Sequence, residues 1–170
     1  VEGKKMVKKA WLAASLAIAL AMALALVGCQ EEKSAQEQLT EWSNLESVND
    51  YRKESNDYLQ KLSDGCNPSS PMSLKECAET SAQLEMLCED VINESNVPKK
   101  CEQAHSYLVE SAKETMEASD LFTDANIAVS TNDMIKATHK VNEAAGHIAK
   151  STDALNKMNE EVNKLKNSNE

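Results

Sequence analysis

The chain has 170 residues, 27% of them charged, with 18 Lys and Arg against 28 Asp and Glu for a net charge of −10. That length suits one ordinary domain and is short for two. Gly (4) and Pro (3) are scarce, which argues against turn-rich all-β folds and against alternating strands and helices.

The first element is an address rather than a fold. Lys4, Lys5, Lys8 and Lys9 precede a 17-residue run, Trp11 to Val27, that is apolar except for Ser15. It stops at Gly28-Cys29, and Gln30-Glu31-Glu32-Lys33 follow. A basic start, an apolar middle and small residues before a break are the parts of a secretory signal. The run sits at the lower edge of a membrane-spanning length, but a retained span leaves the abrupt polar stop unexplained. Met6-Val7-Lys8-Lys9 is a more usual signal start than Val1-Glu2.

Leu26-Val27-Gly28-Cys29 matches the lipobox pattern: Leu, a small or apolar residue, Gly or Ala, then Cys. On these residues the segment 1–30 resembles the precursors of bacterial lipoproteins. The resemblance implies that residues 1–28 are a cleaved signal peptide, that Cys29 is diacylated on its thiol, and that its new amine is often acylated too. One acyl chain holds a membrane marginally, at about 0.8 kcal/mol per buried CH₂, whereas two or three hold firmly. The implied partner is therefore a lipid bilayer, reached through acylated Cys29, with residues 29–33 as a lipidated tether. By Gram-negative sorting, Asp after the Cys retains a lipoprotein in the inner membrane. Gln30 stands there instead, which implies the periplasmic face of the outer membrane.

The 142 residues from Cys29 onward carry 14 basic against 27 acidic residues, a balance of −13. Such a charge repels nucleic acid and anionic headgroups. Leu, Ile, Val and Phe make up only 23 of them, a composition that by itself points to disorder. Helical periodicity opposes that reading, and residues 34–170 are expected to fold as one helical domain.

Four blocks carry the pattern. Ser34 to Ser63 places apolar residues at Leu39, Trp42, Leu45, Val48, Tyr51, Tyr58, Leu59 and Leu62. Ser73 to Asn93 has the seam Leu74, Cys77, Ser81, Leu84, Cys88 and Val91. Lys99 to Val129 has Cys101, Ala104, Leu108, Ser111, Thr115, Ala118, Phe122, Ala125 and Val129. From Met134 the seam reads Thr138, Val141, Ala145, Ile148, Thr152, Leu155, Asn159 and Val162. Ser34-x-x-Glu37, Ser73-x-x-Glu76 and Ser130-x-x-Asp133 read as capping boxes. Gly65 reads as a left-handed helix cap, and Pro98 opens the third helix. Near residue 130 the seam slips by two positions, a rotation of roughly 200°, which predicts a tight hairpin. The expected fold is all-α: an antiparallel up-down bundle of four helices, the second one short.

Four cysteines follow Cys29: Cys66, Cys77, Cys88 and Cys101. An even number in an exported chain reads as disulfides. Cys77 and Cys88 lie eleven residues apart on one helix, roughly 16 Å along its axis, too far for a bridge. Cys77–Cys101 would put the second hairpin far out of register. Cys66–Cys77 and Cys88–Cys101 remain, each stapling a hairpin and each worth about 3 kcal/mol in the chain-entropy model.

The chain shows no motif of a hydrolase, a zinc enzyme, a phosphate-binding loop or a dinucleotide fold, and no enzyme, cofactor or resident metal is expected. His139, Glu143 and His147 share one helix face that the seam turns toward solvent. His105 reads as a packed or flanking histidine. Tyr51 and Tyr58, one heptad apart, read as core aromatics, with a partner patch as the sharper option. The tether Gln30–Lys33 spans at most about 17 Å, so the 94–98 loop and C-terminus should lie near the lipid and the 64–72 loop at the far tip. Asn67, Pro68, Ser69, Ser70 and Pro71, stiffened by two prolines, form the candidate loop for an unknown envelope protein. The leading expectation is a noncatalytic lipoprotein for protein binding or envelope assembly. A structural spacer or coiled-coil oligomer is the alternative, and a metal- or haem-carrying bundle the third.

Overall fold

The computed structural model describes residues 33–168. The signal peptide, Cys29 and most of the tether lie outside the described residues. From Ser34 the chain forms one compact unit. Its described secondary structure is entirely helical: α1 (Ala35–Ser43), α2 (Glu46–Gly65), α3 (Leu74–Ile92), a 3-10 turn (Lys99–Cys101), α4 (Glu102–Ser130) and α5 (Met134–Asn167). No described helix is long and apolar enough to cross a membrane.

The first expected helix is two. It breaks at Asn44-Leu45, where Leu45 takes an extended backbone (φ −58°, ψ 131°) before α2. The reason lies in the spacing of Leu39, Trp42, Leu45, Val48 and Tyr51. A strict step of three falls about 60° short of a full turn each time, so the stripe of a continuous helix would rotate off the core. Ending α1 after Trp42 and restarting at Glu46 lets Trp42 (0% exposed) and Val48 (0%) both face inward.

The capping of α1 is the expected reciprocal box: Ser34 Oγ accepts from Glu37 N–H at 3.2 Å, and Ser34 N–H donates to Glu37 Oε2 at 2.9 Å. Ser73 caps α3 by accepting from Glu76 N–H at 3.2 Å. The α4–α5 turn differs from expectation. Asp133, not Ser130, is the N-cap, and its Oδ1 accepts from Lys136 N–H at 3.1 Å. Ser130 instead donates to the Ile127 carbonyl at 2.7 Å. Asn132 makes the reversal with φ 59°, a left-handed conformation that Asn tolerates better than most residues.

Long-range contacts fix the registers. Ser81 meets Ser119, and Cys77 meets Thr123, so α3 and α4 run antiparallel. Ser151 meets Ser111, His147 meets Glu114 and Lys140 meets Asp124, so α4 and α5 do too. Tyr51 meets Ser111 and Leu62 meets Asn126, so α2 runs parallel to α4. Helix α4 is the hub, in contact with α2, α3 and α5. Gln36 Nε2–H donates to the Lys166 carbonyl and Lys100 N–H to Gln38 Oε1, which seats α1 against the end of α5 and the 3-10 turn.

Seam positions follow the expected spacing over most of α3 and α4, with Leu74 displaced to half exposure and Ala128 rather than Val129 buried at the end of α4. On α5 half of the seam is one residue off. The inward positions are Ala137, Val141, Ala144, Ile148, Ser151, Leu155, Met158, Val162 and Leu165, a continuous heptad. Thr138, Ala145, Thr152 and Asn159 face solvent. Thr138 and Thr152 turn their hydroxyls back to the carbonyls four residues earlier.

Where α2, α4 and α5 meet, four buried hydroxyls close a ring. Tyr51 Oη lies 2.9 Å from both Ser111 Oγ and Thr115 Oγ1. Ser151 Oγ lies 2.8 Å from Ser111 and 3.1 Å from Thr115. Four hydroxyls carry four protons, and the ring has four edges. Each group can donate once and accept once, so a polar cluster in the core is fully paired. Tyr51 is therefore an internal strut (2% exposed), not a surface patch. Tyr58 is partly buried and bonds Glu54 on its own helix.

Candidate functional site

The loop between α2 and α3 is ordered by its own backbone. Asn67 N–H donates to the Asp64 carbonyl, Ser70 N–H to the Asn67 carbonyl, each at 3.0 Å. The Asn67 side chain accepts from Ser69 N–H at 2.9 Å. Met72 N–H returns to the Gly65 carbonyl at 3.1 Å and closes the loop at its base. Yet Asn67, Pro68, Ser69, Ser70 and Pro71 are all exposed. The candidate partner loop is thus a fixed shape presented to solvent, a form that loses little entropy on binding.

Gly65 has a different role from the one expected. It is the last helical residue and has no positive φ. A Cβ there would sit 2.7 Å from Met72 Cβ and 3.0 Å from Asn126 Oδ1. Glycine is required because the returning loop passes directly over the helix end. An open groove of about 670 Å³ runs beside this base, lined by Lys61, Cys66, Ser70, Met72, Glu76 and Val141.

Large exposed apolar side chains concentrate at the same end. Leu74 (50% exposed), Ile127 (43%) and Ile135 (87%) all lie level with the last turns of α4 by the registers above. Met86 lies further down α3. The other end of the domain gathers α1, the 3-10 turn and the end of α5, and Ser47 at the start of α2 donates to Glu94.

All four cysteines described are free thiols, so neither expected bridge is formed in the structure. Cys88 and Cys101 are fully buried. Burial pushes the Cys88 thiol up to about 12, with Glu85 adding to it. Cys66 and Cys77 are placed differently. Cys66 Sγ reaches the Phe122 carbonyl at 3.6 Å, and Cys77 Sγ reaches Thr123 Oγ1 at 3.8 Å, on adjacent residues of α4. Burial, helped by the neighbouring Cys77, pushes the Cys66 thiol up to about 11.

The histidines separate. His139 pairs with Glu143 at 3.3 Å in solvent. His147 does not share that exposed face: its Nδ1 lies 2.7 Å from Glu114 Oε2 on α4. His105 is buried, accepting from Trp42 Nε1–H on Nδ1 at 3.2 Å and donating to the Val91 carbonyl. Both ring nitrogens are thereby committed to the neutral form. Burial holds its pKa below the usual value, partly offset by Glu94 and the Val91 carbonyl. Among the described residues no group of three His, Cys, Asp or Glu is placed to hold a metal ion.

Comparison with protein-family models, with curated proteins and with solved structures finds no match to this chain. Its function is argued from its own residues alone.

Proposed function

We propose that this protein is a noncatalytic, lipid-anchored periplasmic lipoprotein that docks an envelope protein through the Asn67–Pro71 loop. The carrying observation is that loop: five exposed residues held in one shape by four backbone-donated hydrogen bonds. Preorganisation of this kind lowers the entropy cost of docking. The exposed Leu74, Ile127 and Ile135 beside it supply apolar contact area.

The anchor belongs to the same proposal and rests on Leu26-Val27-Gly28-Cys29. Cys29 carries the acyl chains, and residues 1–28 are removed. The outer membrane is the destination that Gln30 favours. The fold is read as an up-down antiparallel bundle of four arms, α1 and α2 together forming the first. In the oxidising envelope Cys66–Cys77 and Cys88–Cys101 are the pairs that would staple its hairpins.

Replacing residues 67–71 by Gly and Ser in the full chain tests the docking reading. Capture of the envelope partner by the wild-type protein should fall at least tenfold in the variant, with helicity unchanged by circular dichroism. Equal capture removes the loop from consideration. Sedimentation separates the spacer reading: a monomer agrees with docking, and a stable trimer favours a coiled-coil spacer.

A further inference from the structure

Where α1 lies against the end of α5, a slot of about 320 Å³ opens to the surface. Three helices line it: α1 with Leu39 and Trp42, α2 with Arg52, and α5 from Met158 to Lys166. The α5 stretch runs roughly 12 Å along its axis. The slot stands at the end of the domain away from the tip loop.

Its floor is apolar. Leu39, Trp42 and Met158 are buried, and Val162 is half-buried. Trp42 spends its one N–H on His105, so it offers the slot only ring carbons. The rim is different. Thr40 and Ser43 spend their hydroxyl protons on the Gln36 and Thr40 carbonyls. The donors left to the slot are Arg52, Lys166 and the amides of Asn159 and Asn163, and no carboxylate lines it. The groove under the tip loop, by contrast, carries Asp64 and Glu76.

Most cations of this acidic domain find a carboxylate: Lys75, Lys140, Lys150, Lys157 and Lys164 each pair with one. Arg52 and Lys166 make no ion pair among the described residues. Their own helices supply no acid at pairing distance. The residues three and four places from Arg52 are Val48, Asn49, Ser55 and Asn56, and those before Lys166 are Val162 and Asn163. Lys166 has a local use, since it stands in the last turn of α5, at the negative end of the helix. Arg52 has no such use, and it is the single arginine of the chain. A guanidinium is the side chain whose fork meets a carboxylate or phosphate with two parallel hydrogen bonds.

We propose that this slot binds a single-chain amphiphile with one anionic head, a carboxylate or a phosphodiester, the head on Arg52 and the tail over Leu39, Trp42 and Val162. The apolar floor calls for the tail and the unpaired guanidinium for the head. The acidity of the domain limits the charge: its field repels polyanions, so the ligand carries one charge and draws its affinity from the tail. At roughly 30 Å³ per chain carbon, close to the volume of one water, the slot holds a tail of about ten carbons. The site is separate from the tip loop, so lipid binding and partner docking can fail independently.

The test uses the full chain carrying Cys29→Ser, so that no acyl chain of its own competes. Isothermal titration calorimetry with hexanoate, octanoate and decanoate, below micelle formation, should give one site per chain. Affinity should rise about fourfold per added CH₂ and level off beyond about ten carbons. Decanol has the same tail and no charge, and should bind about tenfold more weakly than decanoate. Arg52→Ala should erase that difference by weakening decanoate alone, and Arg52→Lys should restore part of it. Asn159→Trp, at an exposed rim position, should block decanoate and decanol alike. Lysophosphatidylglycerol with a decanoyl chain separates the two sources of the head: tighter binding than decanoate assigns a membrane lipid, and weaker binding a free fatty acid. Equal binding of decanoate and decanol, or decanoate binding unchanged in Arg52→Ala or in Asn159→Trp, would overturn the assignment. Both substituted residues are exposed, and unchanged helicity by circular dichroism ties any loss to the slot.

Discussion

Removing the partners of the Tyr51 hydroxyl should cost more than removing that hydroxyl. In the four-membered ring Tyr51 bonds both Ser111 and Thr115 at 2.9 Å, and Ser151 closes the other side. The Tyr51→Phe change leaves three Ser and Thr hydroxyls in a row. Each of these sits on a helix and can turn to a carbonyl one turn back, so the loss should be about 1 kcal/mol. The double change Ser111→Ala and Thr115→Val is different. It strips Tyr51 of both partners at 2.9 Å while the phenol stays 2% exposed, leaving only Ser151 across the ring, and a phenol cannot reach its own helix carbonyls. One stranded hydroxyl costs about 1–3 kcal/mol and the lost bonds about 1 kcal/mol more. A loss of about 3 kcal/mol is expected, or a midpoint roughly 9 °C lower for a domain of this size. Adding Tyr51→Phe to the double variant should then recover about 1–2 kcal/mol, because no phenol is left unpaired and Ser151 can turn to a carbonyl of its own helix. Urea denaturation followed by circular dichroism gives all four free energies of the cycle. If Tyr51→Phe destabilises the double variant as much as it destabilises the wild type, the ring is not a unit and the reasoning fails.

The two described glycines whose surroundings are known should respond oppositely to alanine. Gly65→Ala puts a Cβ 2.7 Å from Met72 Cβ, and should lose about 1–3 kcal/mol in thermal melts. Gly146→Ala meets nothing within 4 Å on an exposed helical face, and should gain about 0.5–1 kcal/mol; a gain at Gly65 would contradict the close crossing. The buried His105 sets a pH dependence. Its folded pKa lies below the model-compound value of 6.5, so its contribution to stability is whole above 6.5 and is lost as pH falls through the folded value. The groups facing it are Trp42 from α1, the Val91 carbonyl from α3, and Glu94. Proton NMR of the Trp42 indole N–H should show one state down to below pH 6.5, and a titration at or above that value would refute the neutral assignment.

Sequence spacing conveyed the helical class and much of the inward face of α3 and α4, because Leu84, Cys88, Leu108 and Phe122 contrast sharply with their charged neighbours. It conveyed less on α5, where Ala137, Ala144, Ala145 and Ala154 look alike and only packing on α4 decides which of them turn inward. The break after α1 has a signal in the run of threes from Leu39 to Tyr51, a slow rotation that resembles one stripe over so short a span. Gly65 was misread because its cause, the return of Met72, is tertiary and leaves no local mark. Ser111 and Thr115 were placed on the seam, but their union with Tyr51 and Ser151 depends on the parallel course of α2 and α4. The tip loop was visible as two prolines among small polar residues. Its hydrogen bonds became apparent only in three dimensions.

The proposed function requires an acylated Cys29 bearing a folded helical domain that presents its loop to a partner. Mass spectrometry of the chain recovered from the envelope fraction tests it most directly. The expected product is an N-terminal peptide that begins at Cys29 and carries two or three acyl chains, absent from the Cys29→Ser variant. An envelope form that retains residues 1–28, or one with an unmodified Cys29 thiol, would contradict it.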